Sequence, residues 1–148
     1  MLEPETEAPD FELPDRNGDP VRLSGIEGTV VLYFYPRADT PGCTTQACSF
    51  RDSWEEYEKR DVTVLGVSDD PIEDLEEFAE KYDLPITLLS DESGEVAAAY
   101  DSYGEKNVFG NVVDGVFRNT YVIEDGVIVA AYEGVDPEGH AETLLAEL

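Results

Sequence analysis

The sequence is poor in basic residues, in sulfur and in histidine. Its 148 residues include 9 lysines and arginines, 2 cysteines, 1 histidine and 1 methionine. So few cations cannot form a basic patch that displaces counterions from phosphate, and we expect no nucleic-acid partner. One histidine and two cysteines cannot complete a structural zinc site without carboxylates, and no glycine-rich phosphate loop occurs. We therefore expect no metal and no cofactor.

Long apolar runs are also missing. No stretch approaches the length of a membrane span, and the acidic residues 1–7 lack the apolar core of a secretory signal. We therefore expect no membrane partner and a cytoplasmic location. Two cysteines five residues apart in such a chain are typical of a catalytic or redox-sensing pair rather than a structural disulfide.

The charge is strongly unbalanced. The 35 acidic residues outnumber the 9 basic ones, which gives a formal net charge of −26, and the acids are spread along the chain. Self-repulsion on this scale weakens in concentrated salt, because the Debye length falls to about 3 Å at 1 M. We expect a halophilic protein from a salt-rich cytoplasm. The alternative is an ordinary acidic cytosolic protein.

The apolar patterns predict one α/β domain spanning residues 1–148. Alternating or continuous apolar runs predict strands, and apolar residues at helical spacing predict helices. The predicted strands are 11–13, 21–23, 29–35, 62–67, 86–89, 118–123 and 127–132; the predicted helices begin near 43 and span 72–82, 94–100 and 137–148. Residues 103–114 are predicted to be irregular. The order favours a thioredoxin-like sandwich with a central mixed sheet flanked by helices and an N-terminal β-hairpin.

One stretch joins both cysteines to the end of a predicted buried strand. The strand breaks at Pro36 into a short loop with Thr40, Pro41 and Gly42, and a helix is expected at or beside Cys43. A thiol in the first turn of a helix faces unpaired N–H groups and the positive end of the helix dipole. These groups favour the thiolate and make the sulfur a better nucleophile.

The second thiol, Cys48, follows Cys43 at position i+5. On an ideal helix two such residues have Cα atoms about 8.7 Å apart. A disulfide requires less than about 7 Å. If the pair forms a disulfide, the first turns of this helix must unwind.

The spacing of Pro36, Thr40 and Cys43 resembles the active-site motif of the peroxiredoxin family. The second cysteine, the FRD at 50–52 and the DGVFR at 114–118 are similar to the peroxiredoxin Q type, also called bacterioferritin comigratory protein. The likeness extends from the APDFELPD at 8–15 to the C-terminal segment. The resemblance implies a monomeric thiol peroxidase acting on hydrogen peroxide and organic hydroperoxides.

The resemblance also implies a role for each matching residue. Cys43 is the peroxidatic cysteine, and Thr40 hydrogen-bonds its sulfur and the peroxide oxygen. Pro36 shields the pocket, and Arg118 supplies a guanidinium. Cys48 is the resolving cysteine: it captures the sulfenic acid formed at Cys43, and thioredoxin or a similar dithiol then reduces the disulfide.

Five further residues are singled out by the sequence. Gln46 stands where many members of the family carry glutamate, and its neutral amide can still orient the arginine. Tyr35 and Phe109 are candidates for the pocket wall, with the core as the alternative position. Trp54 is expected in the core, and His140 is expected to be exposed to solvent.

Two other functions are compatible with a reactive cysteine pair. A thioredoxin-type disulfide oxidoreductase usually has its cysteines two residues closer, as C-x-x-C, whereas this chain has C-x-x-x-x-C. A redox sensor would pass the oxidation of Cys43 on to a partner. Rapid turnover of peroxide coupled to thioredoxin distinguishes the peroxidase from both alternatives.

Overall fold

The computed structural model of the chain describes residues 2–108 and 110–148. Phe109, a candidate for the pocket wall, lies outside the described residues. The strands are β1 (Glu12–Pro14), β2 (Pro20–Arg22), β3 (Thr29–Phe34), β4 (Val62–Ser68), β5 (Thr87–Ser90), β6 (Tyr103–Val108), β7 (Asn111–Val116), β8 (Thr120–Glu124) and β9 (Val127–Tyr132). The helices are α1 (Pro41–Asp52), α2 (Trp54–Lys59), α3 (Ile72–Tyr82), α4 (Glu95–Ala99) and α5 (His140–Leu145). No helix in the described ranges is long and apolar enough to cross a membrane.

The central sheet has five strands in the order β5-β4-β3-β8-β9. β3 pairs in parallel with β4, which pairs in parallel with β5, whereas β8 runs antiparallel to both β3 and β9. β1 and β2 form a separate antiparallel hairpin near the N-terminus. The predicted α/β architecture, with a mixed central sheet, flanking helices and an N-terminal hairpin, is confirmed.

The core lies on both faces of this sheet. Alternate side chains of a strand point to opposite faces, so Val31 and Tyr33 of β3 pack with α1, α2, α3 and α5. Leu32 and Phe34 pack on the other face with the N-terminal hairpin and α4. β3 is therefore covered on both sides, which explains its continuous apolar sequence.

Gly66 on β4 allows the end of β3 to pack closely. It lies opposite Tyr33 in the parallel register, and a Cβ at this position would lie 2.9 Å from the tyrosine ring. The ring also stacks on Phe50 of α1, with centroids 4.9 Å apart. Because the glycine leaves room for Tyr33, helix α1 is held against the strand that precedes it.

The prediction that residues 103–114 are irregular is wrong. They belong to an antiparallel hairpin in which β6 and β7 pair from Tyr103 with Val116 to Val108 with Asn111. The glycines and asparagines here are typical of loops. A two-stranded ribbon tolerates them because its pairing depends on backbone hydrogen bonds, and Gly104 leaves room for the ring of Phe117.

Several smaller boundaries also differ from prediction; the C-terminal helix, for example, spans His140–Leu145 rather than 137–148. The helix that begins near Cys43 ends at Asp52, and Trp54, which packs against the core, begins a separate helix α2. Arg118 was expected to open a strand, but it lies two residues before β8. Helical periodicity continues across the break at Ser53, so the pattern alone does not reveal it.

Candidate active site

Cys43 is the third residue of helix α1. Thr40 is the N-cap, with extended backbone, and Pro41 is the first helical residue, where its missing N–H costs nothing. The first intrahelical bond runs from Thr44 N to Thr40 O at 2.8 Å. The N–H groups of Gly42 and Cys43 therefore lie in the first turn, which offers them no helical carbonyl. They form the positive end of the helix dipole beside the thiol.

The buried face of α1 determines where this thiol points. Four residues of α1 are buried, and they occupy positions i, i+3, i+4 and i+7: Cys43, Gln46, Ala47 and Phe50. This spacing places them on one stripe facing the sheet. The thiol is only 2% exposed and belongs to the same core cluster as Tyr35, which is buried rather than at the wall of a cavity.

Arg118 brings a cation to the sulfur. Its Nη2 donates to the Cys43 Sγ at 3.4 Å, and its Nη1 donates to Gln46 Oε1 at 2.7 Å. A guanidinium is planar and always charged, so one contact fixes the direction of the other. The glutamine amide thereby orients the arginine without placing a negative charge next to the sulfur.

The absence of a side chain at Gly42 leaves room for Arg118 to pack against the start of α1. A Cβ on Gly42 would lie 3.1 Å from Arg118 Nη2 and 3.6 Å from Pro137. A side chain here would force the guanidinium, whose Nη2 lies 3.4 Å from the Cys43 sulfur, to shift by a few tenths of an ångström. The Pro-Gly pair before the cysteine therefore supplies both the helix start and the space for the cation.

Cys48 lies further along α1 and is half-buried. Both cysteines are free thiols in this structure. Cys48 lines a shallow cavity of about 390 Å³ between α1 and the start of α5, together with Thr44, Thr45, Ser49, Asp52, Gly139 and Glu142. Its thiol is thus more accessible than that of Cys43.

Comparison with known proteins decides the family. The family model described as AhpC/TSA family matches residues 4–131. Peroxiredoxin Bcp of Escherichia coli K12 is 44% identical over 140 residues, which cover 93% of this chain and 90% of the relative. The chain belongs to the peroxiredoxin family. Peroxiredoxin Bcp of Bacillus subtilis is 41% identical over 143 residues, or 95% of this chain and 91% of the relative.

A solved peroxiredoxin structure agrees with the fold. Peroxidoxin BcpB from Mycobacterium tuberculosis superposes with a TM-score of 0.87 at 37% identity, over 99% of this chain and 96% of the other. The similarity to peroxiredoxins of the Bcp, or Q, type thus covers sequence and fold alike.

Thr40 makes a different contact from the one the peroxiredoxin motif implies. Its hydroxyl donates to the carbonyl oxygen of Arg37 at 2.8 Å and caps no helix N–H. The expected bond from Thr40 to the Cys43 sulfur is not formed in this state. The backbone of Thr40 is extended at this N-cap position, and its hydroxyl is bonded within the loop.

Pro36 lines a cavity next to the peroxiredoxin motif. The cavity has a volume of about 580 Å³, and Arg118 forms part of the same wall. The other residues that line it are Asp101, Lys106, Phe117, Asn119, Glu133 and Gly134. Arg118 therefore lies between this cavity and the sulfur of Cys43.

The loop before Cys43 is anchored by a hydrogen bond to the buried carboxylate of Asp70. One carboxylate oxygen, Oδ2, accepts from Ala38 N at 2.7 Å and from Ser68 Oγ at 2.8 Å. Asp70 is 3% exposed, so these bonds form in the interior. No sequence pattern indicates this role, because Asp69 and Asp70 stand just before Pro71, as acidic residues commonly do at the start of a helix.

The same loop also forms hydrogen bonds with helix α3 at the protein surface. Lys81 Nζ and the Tyr82 hydroxyl both donate to the carboxylate of Asp39, at 2.9 and 2.8 Å. The bond from Lys81 lowers the pKa of Asp39 below its ordinary value. Since these groups are exposed, the ion pair stabilises the loop only slightly.

The prediction that His140 is exposed is wrong. Its side chain is 5% exposed; Nε2 lies 2.9 Å from Thr120 Oγ1, and the ring packs edge-on against Phe50. Burial, followed by the nearby positive charge of Arg118, lowers the pKa of His140 to about 4. The imidazole is therefore neutral at pH 7. Because His140 begins a helix between Gly139 and an alanine, the sequence resembles an exposed helix start.

The sequence pattern does not predict that Lys106 belongs to this region. It is half-buried, donates to Val116 O at 2.9 Å and shares the cavity with Arg118. Its segment was predicted to be irregular, so no position could be assigned to its side chain. Within the described residues, no cluster of histidine, cysteine and carboxylate side chains is suited to hold a metal ion.

Proposed function

We propose that this chain is a thiol peroxidase that reduces hydrogen peroxide and organic hydroperoxides, with Cys43 as the peroxidatic cysteine. The observation that carries the proposal is the contact between Arg118 Nη2 and the Cys43 sulfur at the start of α1. A fixed cation and first-turn N–H groups stabilise negative charge on sulfur before the reaction and on oxygen during it. Membership of the peroxiredoxin family supports the same chemistry.

In the first step the Cys43 thiolate attacks one peroxide oxygen. A sulfur–oxygen bond forms as the oxygen–oxygen bond breaks, so the cysteine becomes a sulfenic acid and the peroxide leaves as hydroxide or alkoxide, which takes up a proton. Arg118 would donate to the leaving oxygen. Pro36 limits access of water from the cavity, and Thr40 would exchange its bond to Arg37 O for one to the bound peroxide.

In the second step Cys48 attacks the sulfenic sulfur of Cys43. Hydroxide leaves and becomes water, and an intramolecular disulfide forms. On a regular helix the two Cα atoms are about 8.7 Å apart, so this step requires the first turns of α1 to unwind. A thioredoxin-like dithiol then reduces the disulfide by thiol exchange, and the half-buried position of Cys48 gives it a route of attack.

Two cysteine variants test this cycle. Cys43→Ser should consume no peroxide, whereas Cys48→Ser should complete one turnover and then resist recycling by thioredoxin. Mass spectrometry of peroxide-treated wild-type protein should detect a Cys43–Cys48 bond. Removal of peroxide by Cys43→Ser would contradict the proposal, and a slow wild-type reaction with rapid disulfide exchange would favour the thioredoxin-type alternative. Rapid oxidation without recycling by a dithiol would favour a redox sensor.

Hydrogen exchange tests the conformational step. Amides of residues 44–48 should lose protection when the protein is oxidised, while those of β3 and β4 serve as internal controls. Equal protection of residues 44–48 in the reduced and oxidised proteins would contradict the unwinding of α1.

We further propose that residues 1–148 act as one monomeric domain in a salt-rich cytoplasm. The two core clusters share one sheet, which supports a single domain. The net charge of −26 supports the location, because concentrated salt screens the repulsion. The thermal midpoint should rise with KCl, and sedimentation should give one copy near 16.4 kDa. A midpoint that does not change with KCl would indicate an ordinary acidic protein.

A further inference from the structure

Two cations share the cavity beside the active site. Lys106 and Arg118 both line the space of about 580 Å³, together with Pro36 and Phe117. This volume is within the range typical of pockets for small organic ligands. The chain has 9 basic residues in all, and two of them line this one small cavity, as do two carboxylates, Asp101 and Glu133.

The side chain of Lys106 is directed by backbone contacts. Its stem passes over Gly115, where a Cβ would lie 3.1 Å from Lys106 Cδ, and its Nζ donates to Val116 O at 2.9 Å. Among the described residues it forms no salt bridge with a carboxylate. An ammonium group has three donors. The carbonyl takes one of them, which leaves two for a ligand in the cavity.

An anion bound in the cavity would interact favourably with the charged ammonium group of Lys106. Burial and the charge of Arg118 both lower the pKa of Lys106 below its ordinary value. A negative group between the two cations would offset this repulsion. Asp101 and Glu133 also line the cavity, but both are exposed, so water and salt screen their charges more strongly.

We propose that Lys106 is a specificity-determining residue that selects organic hydroperoxides carrying a carboxylate. The carboxylate would accept from Lys106 inside the cavity, and the hydroperoxide end would lie against Arg118, which contacts the Cys43 sulfur. This inference rests on the peroxidase activity proposed above. Long-range repulsion by the acidic surface slows the approach of an anion at low salt, so the selection is clearest in concentrated salt.

A matched pair of substrates tests the inference. Cumene hydroperoxide and its para-carboxylate derivative differ in one charged group, and their rates with free cysteine correct for intrinsic reactivity. We would measure the oxidation rate of Cys43 in the reduced protein by rapid quench and mass spectrometry in about 1 M KCl, where the Debye length is about 3 Å. The variants are Lys106→Met, Lys106→Arg and Lys59→Met, a control that loses the same charge from an exposed side chain on α2.

The wild type should favour the carboxylate by about tenfold, the value of one hydrogen bond between charged groups. Lys106→Met should lose this preference, measured as the ratio of the two substrate rates, whereas Lys106→Arg and Lys59→Met should keep it. The absence of a preference in the wild type, or an equal loss in Lys59→Met, would overturn the inference. If Lys106→Met does not fold, the ratio of the two substrate rates in the wild type and in Lys106→Arg tests the inference instead. Failure of the wild type to react with hydrogen peroxide would instead overturn the peroxidase proposal, and this inference with it.

Discussion

Arg118 Nη2 lies 3.4 Å from the Cys43 Sγ, and the other arm of the same guanidinium contacts Gln46 Oε1 at 2.7 Å. The two residues are 75 positions apart in the sequence and meet because the segment before β8 crosses the start of α1. The planar guanidinium thus contacts both the nucleophile and the buried amide of Gln46, and the amide fixes the orientation of the guanidinium. The reactivity of Cys43 should depend on this geometry as well as on the charge.

Replacing the arginine tests that dependence. Arg118→Ala should slow oxidation of Cys43 by about 10²-fold or more, comparable to the loss of one donor that stabilises developing negative charge. Arg118→Lys should recover only part of the rate, because an ammonium cannot hold the sulfur and Gln46 in one plane. Stopped-flow oxidation by hydrogen peroxide measures both variants. An Arg118→Lys protein with the wild-type rate would show that charge alone is sufficient.

Gln46 should act through the arginine. Gln46→Met keeps the length of the side chain but removes the acceptor for Arg118 Nη1, so we expect about a tenfold slower oxidation of Cys43. Gln46→Glu restores an acceptor and should retain more of the rate. Thr45→Met, at an exposed position on the same helix, serves as the control. A wild-type rate in Gln46→Met would exclude a positioning role.

The sequence predicted the central sheet well because its strands are buried on both faces and read as continuous apolar runs. The nucleophile was also predictable, since Cys43 follows a strand, a proline and a turn at the start of a helix. The β6–β7 hairpin was missed because Lys106, Gly104 and their neighbours are held by backbone pairing rather than by an apolar pattern. Local patterns carry no information about such pairing.

The residues that support the nucleophile were harder to predict, because their roles depend on contacts between distant segments. Asp70 holds Ala38 across 32 positions, and His140 meets Thr120 across 20. The position of Gln46 three residues after Cys43, on the apolar stripe of α1, is a local sign of a buried polar group.

Asp70 should contribute strongly to folding stability. Asp70→Ala leaves the Ala38 N–H and the Ser68 hydroxyl without their acceptor, which should cost about 2–4 kcal/mol in the free energy of unfolding. Asp70→Asn keeps an acceptor oxygen and should cost less. Asp114→Asn, at an exposed position on β7, controls for the lost charge. Urea denaturation measures the stability of all three variants in about 1 M KCl, where surface charges are strongly screened. An unchanged midpoint for Asp70→Ala would contradict the proposed contribution of Asp70 to stability.

His140 should make stability depend on pH. Its pKa is about 4 in the folded protein, against an ordinary value of 6.5. Between these values the unfolded chain binds a proton that the folded chain does not, so stability falls as the pH is lowered, by up to roughly 3 kcal/mol. Above pH 6.5 the effect is absent. His140→Gln should remove this part of the slope, and urea midpoints from pH 7.5 to 4.5 test it; parallel curves for the two proteins would contradict it.

The central claim is that the start of α1 and Arg118 together make Cys43 a fast nucleophile toward peroxide. The most direct measurement is the second-order rate constant for oxidation of Cys43 by hydrogen peroxide in Cys48→Ser, at pH 7 and about 1 M KCl, where surface charges are screened. We predict a rate on the order of a thousandfold above that of free cysteine, with most of this advantage lost in Arg118→Ala. A rate similar to that of free cysteine would contradict the account.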